Sequence, residues 1–268
     1  MGADTGNTGS PDIRCKGLAK VFPGGVEAIR PLDVTFEGGR TTALVGPSGC
    51  GKSTLLRIIA GLETPSSGEV RVGGAPPAEI QRDAGLSMAF QDPSLLPWRT
   101  VRGNIELALK LARRPPAPHA VENLIRLVGL DGFAGSRPAE LSGGMRQRAA
   151  IARAMVTEPR LLLLDEPFGA VDELTRRQLA EDLPLLWEPR RTTALLVTHS
   201  VVESVLLADR VLVLSPRPAG IVADIPVPLP RPRAAGVAET PEFRSIARAV
   251  AEALARGMAQ ARPPLAAQ

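Results

Sequence analysis

Aromatic residues are scarce in this sequence. They make up only 3% of the 268 residues, and tyrosine does not occur at all. Proteins that bind single-stranded nucleic acid commonly stack successive bases on aromatic rings. The scarcity therefore argues against such a surface, and we expect no nucleic-acid partner.

Cysteine is scarce as well. Cys15 and Cys50 lie far apart and match neither the spacing of a metal site nor that of a disulfide framework. We therefore expect two free thiols and a reducing, cytosolic compartment.

Long apolar runs are missing from the chain. The longest runs of strand type, such as 161–164 and 211–214, are far shorter than the roughly 18–20 apolar residues that span a bilayer. Residues 1–12 lack the basic and then apolar pattern of a signal peptide. The sequence predicts that this chain is not itself a channel or carrier.

Neither sign of charge is in large excess, since 32 Lys and Arg stand against 28 Asp and Glu, a net charge of +4. This balance permits contact with phosphates or an anionic membrane surface but requires neither. The apolar content of 44% and the charged content of 22% are ordinary for a globular protein. Composition thus excludes a mainly disordered or fibrous chain.

Strands and helices alternate along most of the sequence. Thr41–Val45, 161–164 and 193–197 are apolar or β-branched runs typical of buried parallel strands. The alternation predicts an α/β sheet with crossover connections, whose ligands bind beyond the carboxyl ends of the strands. We expect a disordered lead-in over 1–12, one domain over 13–230 with a helical insertion over about 92–157, and a helical tail over 231–268. The tail holds six Arg against three Glu, which predicts a solvated helical face.

One segment between a predicted strand and a predicted helix fits the pattern G-x-x-x-x-G-K-[ST], namely Gly46-Pro47-Ser48-Gly49-Cys50-Gly51-Lys52-Ser53. Its glycines let backbone N–H groups turn toward an anion, and the following helix adds its positive end. Lys52 supplies a charge for the β- and γ-phosphates, and Ser53 offers a hydroxyl to Mg²⁺. The segment predicts a site for a nucleoside triphosphate.

Two carboxylates follow the apolar run 161–164. Asp165 at the strand end suits Mg²⁺, and Glu166 suits activation of an attacking water. An acidic turn after an apolar strand is common by itself, so this interpretation depends on the phosphate-binding segment.

A second anion-binding device lies at another predicted helix start, where Ser142 precedes Gly143 and Gly144. Taken alone, it could be a simple N-cap with a flexible turn. Because one nucleotide hardly needs two such devices in one chain, we expect the second to serve the nucleotide of another copy.

Together these segments resemble the ATP-binding subunit of ABC transporters, over about residues 13–254. The matching segments are Walker A at 46–53, Gln91, the signature at 141–145, Walker B at 161–165 with Glu166, the loop at 169–172 and the switch residue His199. The resemblance implies a P-loop NTPase core with a mixed sheet, an N-terminal antiparallel β subdomain and a helical subdomain insertion.

The resemblance also implies a head-to-tail homodimer that binds ATP and Mg²⁺, each ATP lying between Walker A of one copy and the signature of the other. Glu166, His199 and Gln91 would be catalytic, and Ser53, Gln91 and Asp165 would contact Mg²⁺. Phe22 would stack on adenine, and Asp172 would cross the interface. The residues implied in nucleotide binding are Phe22, Gly46, Pro47, Ser48, Gly49, Cys50, Gly51, Lys52, Ser53, Thr54, Ser142, Gly143, Gly144 and Asp172.

Three positions depart from the usual pattern of the family. Met145 stands where Gln is usual in the signature, Phe22 replaces the commoner Tyr, and Ser200 follows His199 in place of Asp. None of these departures removes a group needed for hydrolysis.

A narrower resemblance, to importers of the nitrate, sulfonate and taurine type, is carried by the segments 94–98, 167–172, 207–210, 214–218 and 229–233. It implies import of a small anionic solute through separate permease subunits, with a solute-binding protein as an indirect partner. It also implies a peripheral position on the cytoplasmic face of the inner membrane. Trp98 is expected either where the helical insertion meets the permease or in the core.

Other functions are open at this point. A non-transport ATPase acting on nucleic acid or ribosomes is disfavoured because such relatives carry two ATP-binding modules or a long coiled coil. A non-hydrolysing interaction module is disfavoured by the intact Glu166 and His199, and an exporter by the free-standing ATP-binding subunit.

Overall fold

The computed structural model describes residues 9–169, 171–233 and 236–260. Most of the predicted lead-in (1–8), Ala170 of the loop at 169–172, and residues 234–235 and 261–268 of the predicted tail lie outside the described residues. No helix in the described part of the chain is both long enough and apolar enough to cross a bilayer.

Nine strands and nine α-helices follow one another in the described residues. The strands are β1 Ile13–Phe22, β2 Val26–Phe36, β3 Thr41–Val45, β4 Ser67–Val72, β5 Leu86–Ala89, β6 Leu161–Asp165, β7 Thr193–Thr198, β8 Arg210–Leu214 and β9 Ile221–Pro226. The helices are α1 Lys52–Ile59, α2 Pro77–Arg82, α3 Val101–Leu111, α4 Pro118–Leu127, α5 Gly143–Met155, α6 Glu173–Asp182, α7 Pro184–Trp187, α8 Val201–Leu207 and α9 Pro241–Gln260.

The strands form two sheets. Six strands form a mixed sheet in the order β5-β6-β7-β3-β8-β9, parallel throughout except for the antiparallel edge strand β9. Strands β2, β1 and β4 form a separate antiparallel sheet. This architecture confirms the predicted mixed sheet, antiparallel subdomain and P-loop core.

The central strands of the mixed sheet are buried on both faces. In β3, Ala43 and Val45 face one apolar cluster, whereas Leu44 faces the other. The first cluster includes the helical insertion and α9, and the second includes the antiparallel sheet and α1. Successive side chains of a strand point to opposite faces, so covering both faces explains the continuous apolar runs.

The helical insertion is built from α3, α4 and α5. The fully buried Asn104 of α3 fixes the loop before it, because its amide donates to the carbonyls of Leu96, Arg99 and Thr100. Its oxygen accepts from the N–H of Leu96 at 2.8 Å. The same loop presents Trp98 with 67% of its surface exposed, so the expectation of a core tryptophan is wrong.

The ends of the domain differ from the sequence prediction. Pro11 is buried, its carbonyl accepts from Thr193 Oγ1 at 2.7 Å, and the carbonyl of Asp12 accepts from the N–H of Gly73 at 2.8 Å. The hydrogen-bonded body thus begins before Ile13.

The tail is not uniformly solvated either. Arg233 donates to the carbonyls of Leu206 and Ala208, and Arg231 donates to the carbonyl of Leu207. Both guanidinium groups are packed into the domain at the end of α8. For these two residues the predicted solvated face is wrong.

Candidate nucleotide site

The glycine-rich segment forms the turn between β3 and α1. Gly49 and Gly51 have φ angles of 72° and 122°, which residues with side chains rarely adopt. A Cβ atom on Gly51 would lie 2.6 Å from the carbonyl oxygen of Ala28, so the packing also requires glycine there. The turn therefore keeps its backbone open toward the cleft in front of α1.

Lys52 is the first residue of α1 and is only 4% exposed. Its ammonium donates to the carbonyls of Gly46 and Pro47 at 2.8 and 2.9 Å. The charge thus sits inside the loop that bears the N–H groups, where an anionic phosphate chain would complement it.

Cys50 is buried in the same loop, with its Sγ atom 4.0 Å from the Lys52 ammonium. Burial raises the pKa of this thiol above its ordinary value, and the neighbouring Lys52 opposes that shift. The thiol is therefore a packing group of the loop.

Two oxygen groups meet where α1 approaches the end of β6. Ser53 Oγ donates to Asp165 Oδ1 at 2.8 Å. Burial raises the pKa of Asp165, and the hydrogen bond from Ser53 opposes the rise. Hydroxyl and carboxylate oxygens are ligands that Mg²⁺ prefers, and a cation would neutralise the buried carboxylate. The pair fits the predicted metal position.

Glu166 follows Asp165 with a φ angle of 47°, an uncommon conformation for a residue with a side chain. Its N–H donates to the carbonyl of Val197 at 2.9 Å, which ties it to β7. Its Oε2 atom accepts from Gln91 Nε2 at 3.2 Å and lies 3.8 Å from His199 Nδ1. The three residues predicted to be catalytic therefore meet at one carboxylate.

Gln91 is anchored from the helical insertion. Gln147 of α5 is buried, and its amide donates to the carbonyl of Phe90 at 3.1 Å. Arg153 of the same helix donates to the carbonyls of Pro93 and Ser94, both at 2.8 Å. These contacts fix the backbone on both sides of Gln91 to α5.

The loop that carries His199 is braced by a carboxylate that the sequence analysis did not identify. Glu203 is 7% exposed and accepts a hydrogen bond from Thr198 Oγ1, which itself accepts from the N–H of Ser200 at 3.0 Å. Arg176 of α6 lies 3.6 Å from Glu203 and donates to the carbonyl of Val171 at 2.9 Å. These contacts join the His199 loop to the loop before α6.

These groups surround a cleft of about 280 Å³. The residues that line it are Phe22, Ala28, Ser48, Gly49, Gly51, Lys52, Ser53, Thr54, Gln91, Glu166 and Arg217. Phe22 is half-buried, with the Lys20 ammonium 5.0 Å from its ring centre. The structure thus brings the Walker A residues, Phe22, Gln91 and Glu166 together. It adds Ala28 and Arg217, neither of which the sequence analysis placed at the nucleotide.

The signature lies elsewhere on the described surface. Ser142 caps α5, and its hydroxyl accepts from the N–H of Met145 at 3.2 Å. Asp172 caps α6 by accepting from the N–H of Thr175 at 3.0 Å, and this hydrogen bond lowers the pKa of Asp172. Of the described residues that line the cleft, none belongs to the signature or to the Asp172 loop. One copy of the chain therefore does not bring the two anion-binding devices together.

Several relatives resemble this chain over most of its length. The ABC transporter family profile matches residues 29–169. The aliphatic sulfonates import ATP-binding protein SsuB 2 of Pseudomonas aeruginosa (strain UCBPP-PA14) is 46% identical over 252 residues, which cover 94% of this chain and 86% of that protein. SsuB of Escherichia coli (strain K12), with the same description, is 47% identical over 81% of this chain and 82% of that protein.

Solved structures show the same fold. A dimeric ATP-binding cassette in a post-hydrolysis state, bound to ADP and Pi, aligns with a TM-score of 0.73 and 28% identity, covering 80% of this chain and 98% of that chain. A dimeric bacterial ABC transporter cassette aligns with a TM-score of 0.72 and 29% identity over the same shares.

Proposed function

Since this chain belongs to the ABC transporter family, we propose that it hydrolyses ATP to energise the import of a small sulfonate-type anion through separate permease subunits. The observation that carries the hydrolytic part is the meeting of Gln91 and His199 at the Glu166 carboxylate, beside the cleft that Lys52 lines. The import names of the relatives favour this function over an ATPase acting on nucleic acid or ribosomes.

In this proposal each cleft residue has a distinct task. Lys52 and the loop N–H groups bind the phosphates, and Phe22 stacks on the adenine. Ser53 and Asp165 hold Mg²⁺, with Gln91 as a further ligand. When bound, Mg²⁺ neutralises charge on the phosphate oxygens.

Glu166 acts as the base that accepts a proton from the attacking water. His199, within 3.8 Å of that carboxylate, contacts the γ-phosphate. Gln91, which donates to the same carboxylate, positions the water.

A second copy completes each site. Among the described residues that line the cleft, none comes from the signature or from the Asp172 loop, so one copy offers only part of the expected ATP site. The N-terminus of α5, with Ser142, Gly143 and Gly144, supplies the remaining phosphate contacts from the partner, and Asp172 crosses the interface. The dimeric state of the solved cassettes supports this arrangement.

The permease binds to the helical insertion. Trp98 and Leu111 are 67% and 74% exposed, beside a groove of about 610 Å³ whose lining includes Arg99, Lys110 and Arg114. Exposed apolar surface rimmed by polar side chains marks sites of protein–protein contact. The subunit would thus lie peripherally on the cytoplasmic face of the membrane, and a solute-binding protein would act through the permease.

The first experiment measures ATP hydrolysis and ATP binding by the purified protein with Mg²⁺. We expect Glu166→Gln to lower hydrolysis at least about 100-fold while ATP still binds, because only the proton acceptor is lost. Glu79→Gln, an exposed carboxylate on α2, is the matched control and should hydrolyse ATP like the wild type. Equal hydrolysis by wild type and Glu166→Gln would refute the role of Glu166.

The second experiment tests the substrate class. A strain lacking this gene should lose growth on an alkanesulfonate as the sole sulfur source while still growing on sulfate. A plasmid carrying the wild-type gene should restore growth, and one carrying Glu166→Gln should not. Unimpaired growth on alkanesulfonates would refute sulfonate import and leave ATP hydrolysis unaffected.

A further inference from the structure

The loop after β8 is held in one shape by its own hydrogen bonds. The N–H of Ser215 donates to the carbonyl of Gly220 at 2.9 Å, and the N–H of Gly220 donates to Ser215 Oγ at 3.0 Å. The same hydroxyl lies within 3.2 Å of the carbonyl of Pro218. Arg217 stands between two prolines at the tip of this closed loop, and the proline rings restrict the backbone on both sides.

The loop is also fixed against the wall of the nucleotide cleft. The N–H of Ala219 donates to the carbonyl of Ala28 at 2.9 Å, and the N–H of Arg30 donates to the carbonyl of Ala219 at 3.0 Å. A Cβ atom on Gly51 would lie 3.3 Å from the Cβ atom of Ala219. The loop therefore packs directly beside the last glycine of Walker A and cannot shift without disturbing it.

Arg217 lines the cleft together with Phe22, Ser48 and Lys52. No hydrogen bond or ion pair joins its guanidinium to another of the described residues. By contrast, Arg210 at the other end of β8 is bonded to the Asp224 carboxylate through two nitrogen atoms at 2.7 and 2.6 Å. Arg217 is thus an uncommitted cation on a fixed loop at the cleft.

We propose that Arg217 is a nucleotide-binding residue whose guanidinium pairs with the phosphate chain of ATP. A guanidinium presents several N–H donors in a planar fork that matches phosphate oxygens. Holding it on a fixed loop lowers the entropy lost when the contact forms. The proposal depends on the nucleotide cleft and is independent of the transported solute.

The test compares the affinities of purified single-site variants for ATP and ADP by calorimetry, at low protein concentration and without hydrolysis. We expect Arg217→Ala to weaken both affinities about 5- to 10-fold, and Arg217→Lys to weaken them about 2- to 3-fold because its charge remains. Arg217→Gln also removes the charge and should bind as weakly as Arg217→Ala. Agreement between the two variants would show that the loss of affinity does not come from misfolding of one of them. The affinity of Arg217→Ala should also fall less steeply with added salt.

Arg30→Ala is the matched control. The backbone N–H of Arg30 donates to the carbonyl of Ala219, but its exposed side chain does not line the cleft. Arg30→Ala therefore removes the same charge from the same region without touching the cleft. We expect the affinity of Arg30→Ala for ATP to stay within about twofold of the wild type.

Lys52→Ala distinguishes a wrong cleft from a wrong role of Arg217. Normal ATP binding by Lys52→Ala would refute the assignment of the cleft itself. If Lys52→Ala loses binding, unchanged affinity in Arg217→Ala, or an equal loss in Arg217→Lys and Arg217→Ala, would overturn the role of Arg217.

Discussion

Single residues in the phosphate-binding turn are constrained by backbone geometry as much as by chemistry. Gly51 combines a φ angle of 122° with a close approach to the carbonyl of Ala28, so both the backbone and the space exclude a side chain. Gly132 has a φ angle of 83°, but a Cβ atom there would meet nothing within 4 Å. A substitution at Gly132 therefore introduces backbone strain alone, whereas one at Gly51 introduces both strain and a steric clash.

We predict that Gly51→Ala lowers the free energy of unfolding by about 2–5 kcal/mol and abolishes ATP binding, because strain and overpacking add. Gly132→Ala should lose only about 1 kcal/mol and bind ATP normally. Urea denaturation and calorimetry measure the two quantities. Equal stability of the two variants would contradict the packing described around Gly51.

The cysteines provide a second test at this scale. Burial raises the pKa of Cys15 to about 12 and raises that of Cys50, so neither forms much thiolate at neutral pH. We predict that the native protein reacts slowly with Ellman's reagent and that both thiols react rapidly in denaturant. Fast labelling of Cys50 in the native protein would show that the loop opens.

At the scale of elements, the tail is attached to the end of α8. The last carbonyls of a helix have no partner within it. Here those of Leu206, Leu207 and Ala208 accept hydrogen bonds from Arg231 and Arg233. Burial lowers the pKa of Arg233 to about 10. These bonds attach residues 231–233 to α8, and α9 separately buries Phe243 and Val250 in the apolar cluster on that face of the mixed sheet.

We predict that Arg233→Ala lowers the free energy of unfolding by about 2–3 kcal/mol, since two hydrogen bonds from a charged donor are lost. Arg244→Ala, on the exposed side of α9, should change it by less than about 0.5 kcal/mol. Thermal and urea unfolding of both variants provide the comparison. A similar small effect in both would mean that the carbonyl contacts contribute little.

Elements with a strong periodic or apolar signal were predictable from the sequence. Strands β3, β6 and β7 match their predicted bounds within one residue, because their runs are buried on both faces. Helix α2, only six residues long, was not predicted. The buried contacts of Arg233 were missed because its partners lie about 25 residues away in sequence, and charge patterning alone indicates a solvated face.

The candidate site was predictable where a motif encodes it. Lys52, Ser53, Asp165 and Glu166 follow directly from spacing and strand position, since chemistry requires those residue types there. The segment 214–218 carried a family resemblance but gave Arg217 no role at the nucleotide, because only the pairing of its loop with Ala28 brings Arg217 to the cleft.

For the whole molecule, the separation of the signature from the cleft is the central fact. Ser142 and Gly144 begin a helix, a geometry that favours anions, yet neither lines the cleft of their own chain. Two copies in opposite orientation would give each phosphate chain both devices. Hydrolysis would then depend on association, whereas the first binding of ATP would not.

Ser142→Arg tests this dependence. We predict that the variant binds ATP with nearly wild-type affinity but loses at least about 100-fold in hydrolysis, because the added charge and bulk occupy the partner's phosphate position. Arg137 is an exposed residue in the segment before α5, and Arg137→Ala should retain ATP hydrolysis. Normal hydrolysis by Ser142→Arg would require a site completed without the signature.

The most direct measurement is a structure of the Glu166→Gln protein with Mg²⁺ and ATP. We predict a dimer in which Ser142 Oγ and the N–H of Gly144 lie about 3 Å from the γ-phosphate oxygens of the ATP bound by Lys52 of the partner subunit. A structure in which ATP is held by Lys52 while Ser142 and Gly144 face solvent, far from any phosphate, would contradict the account.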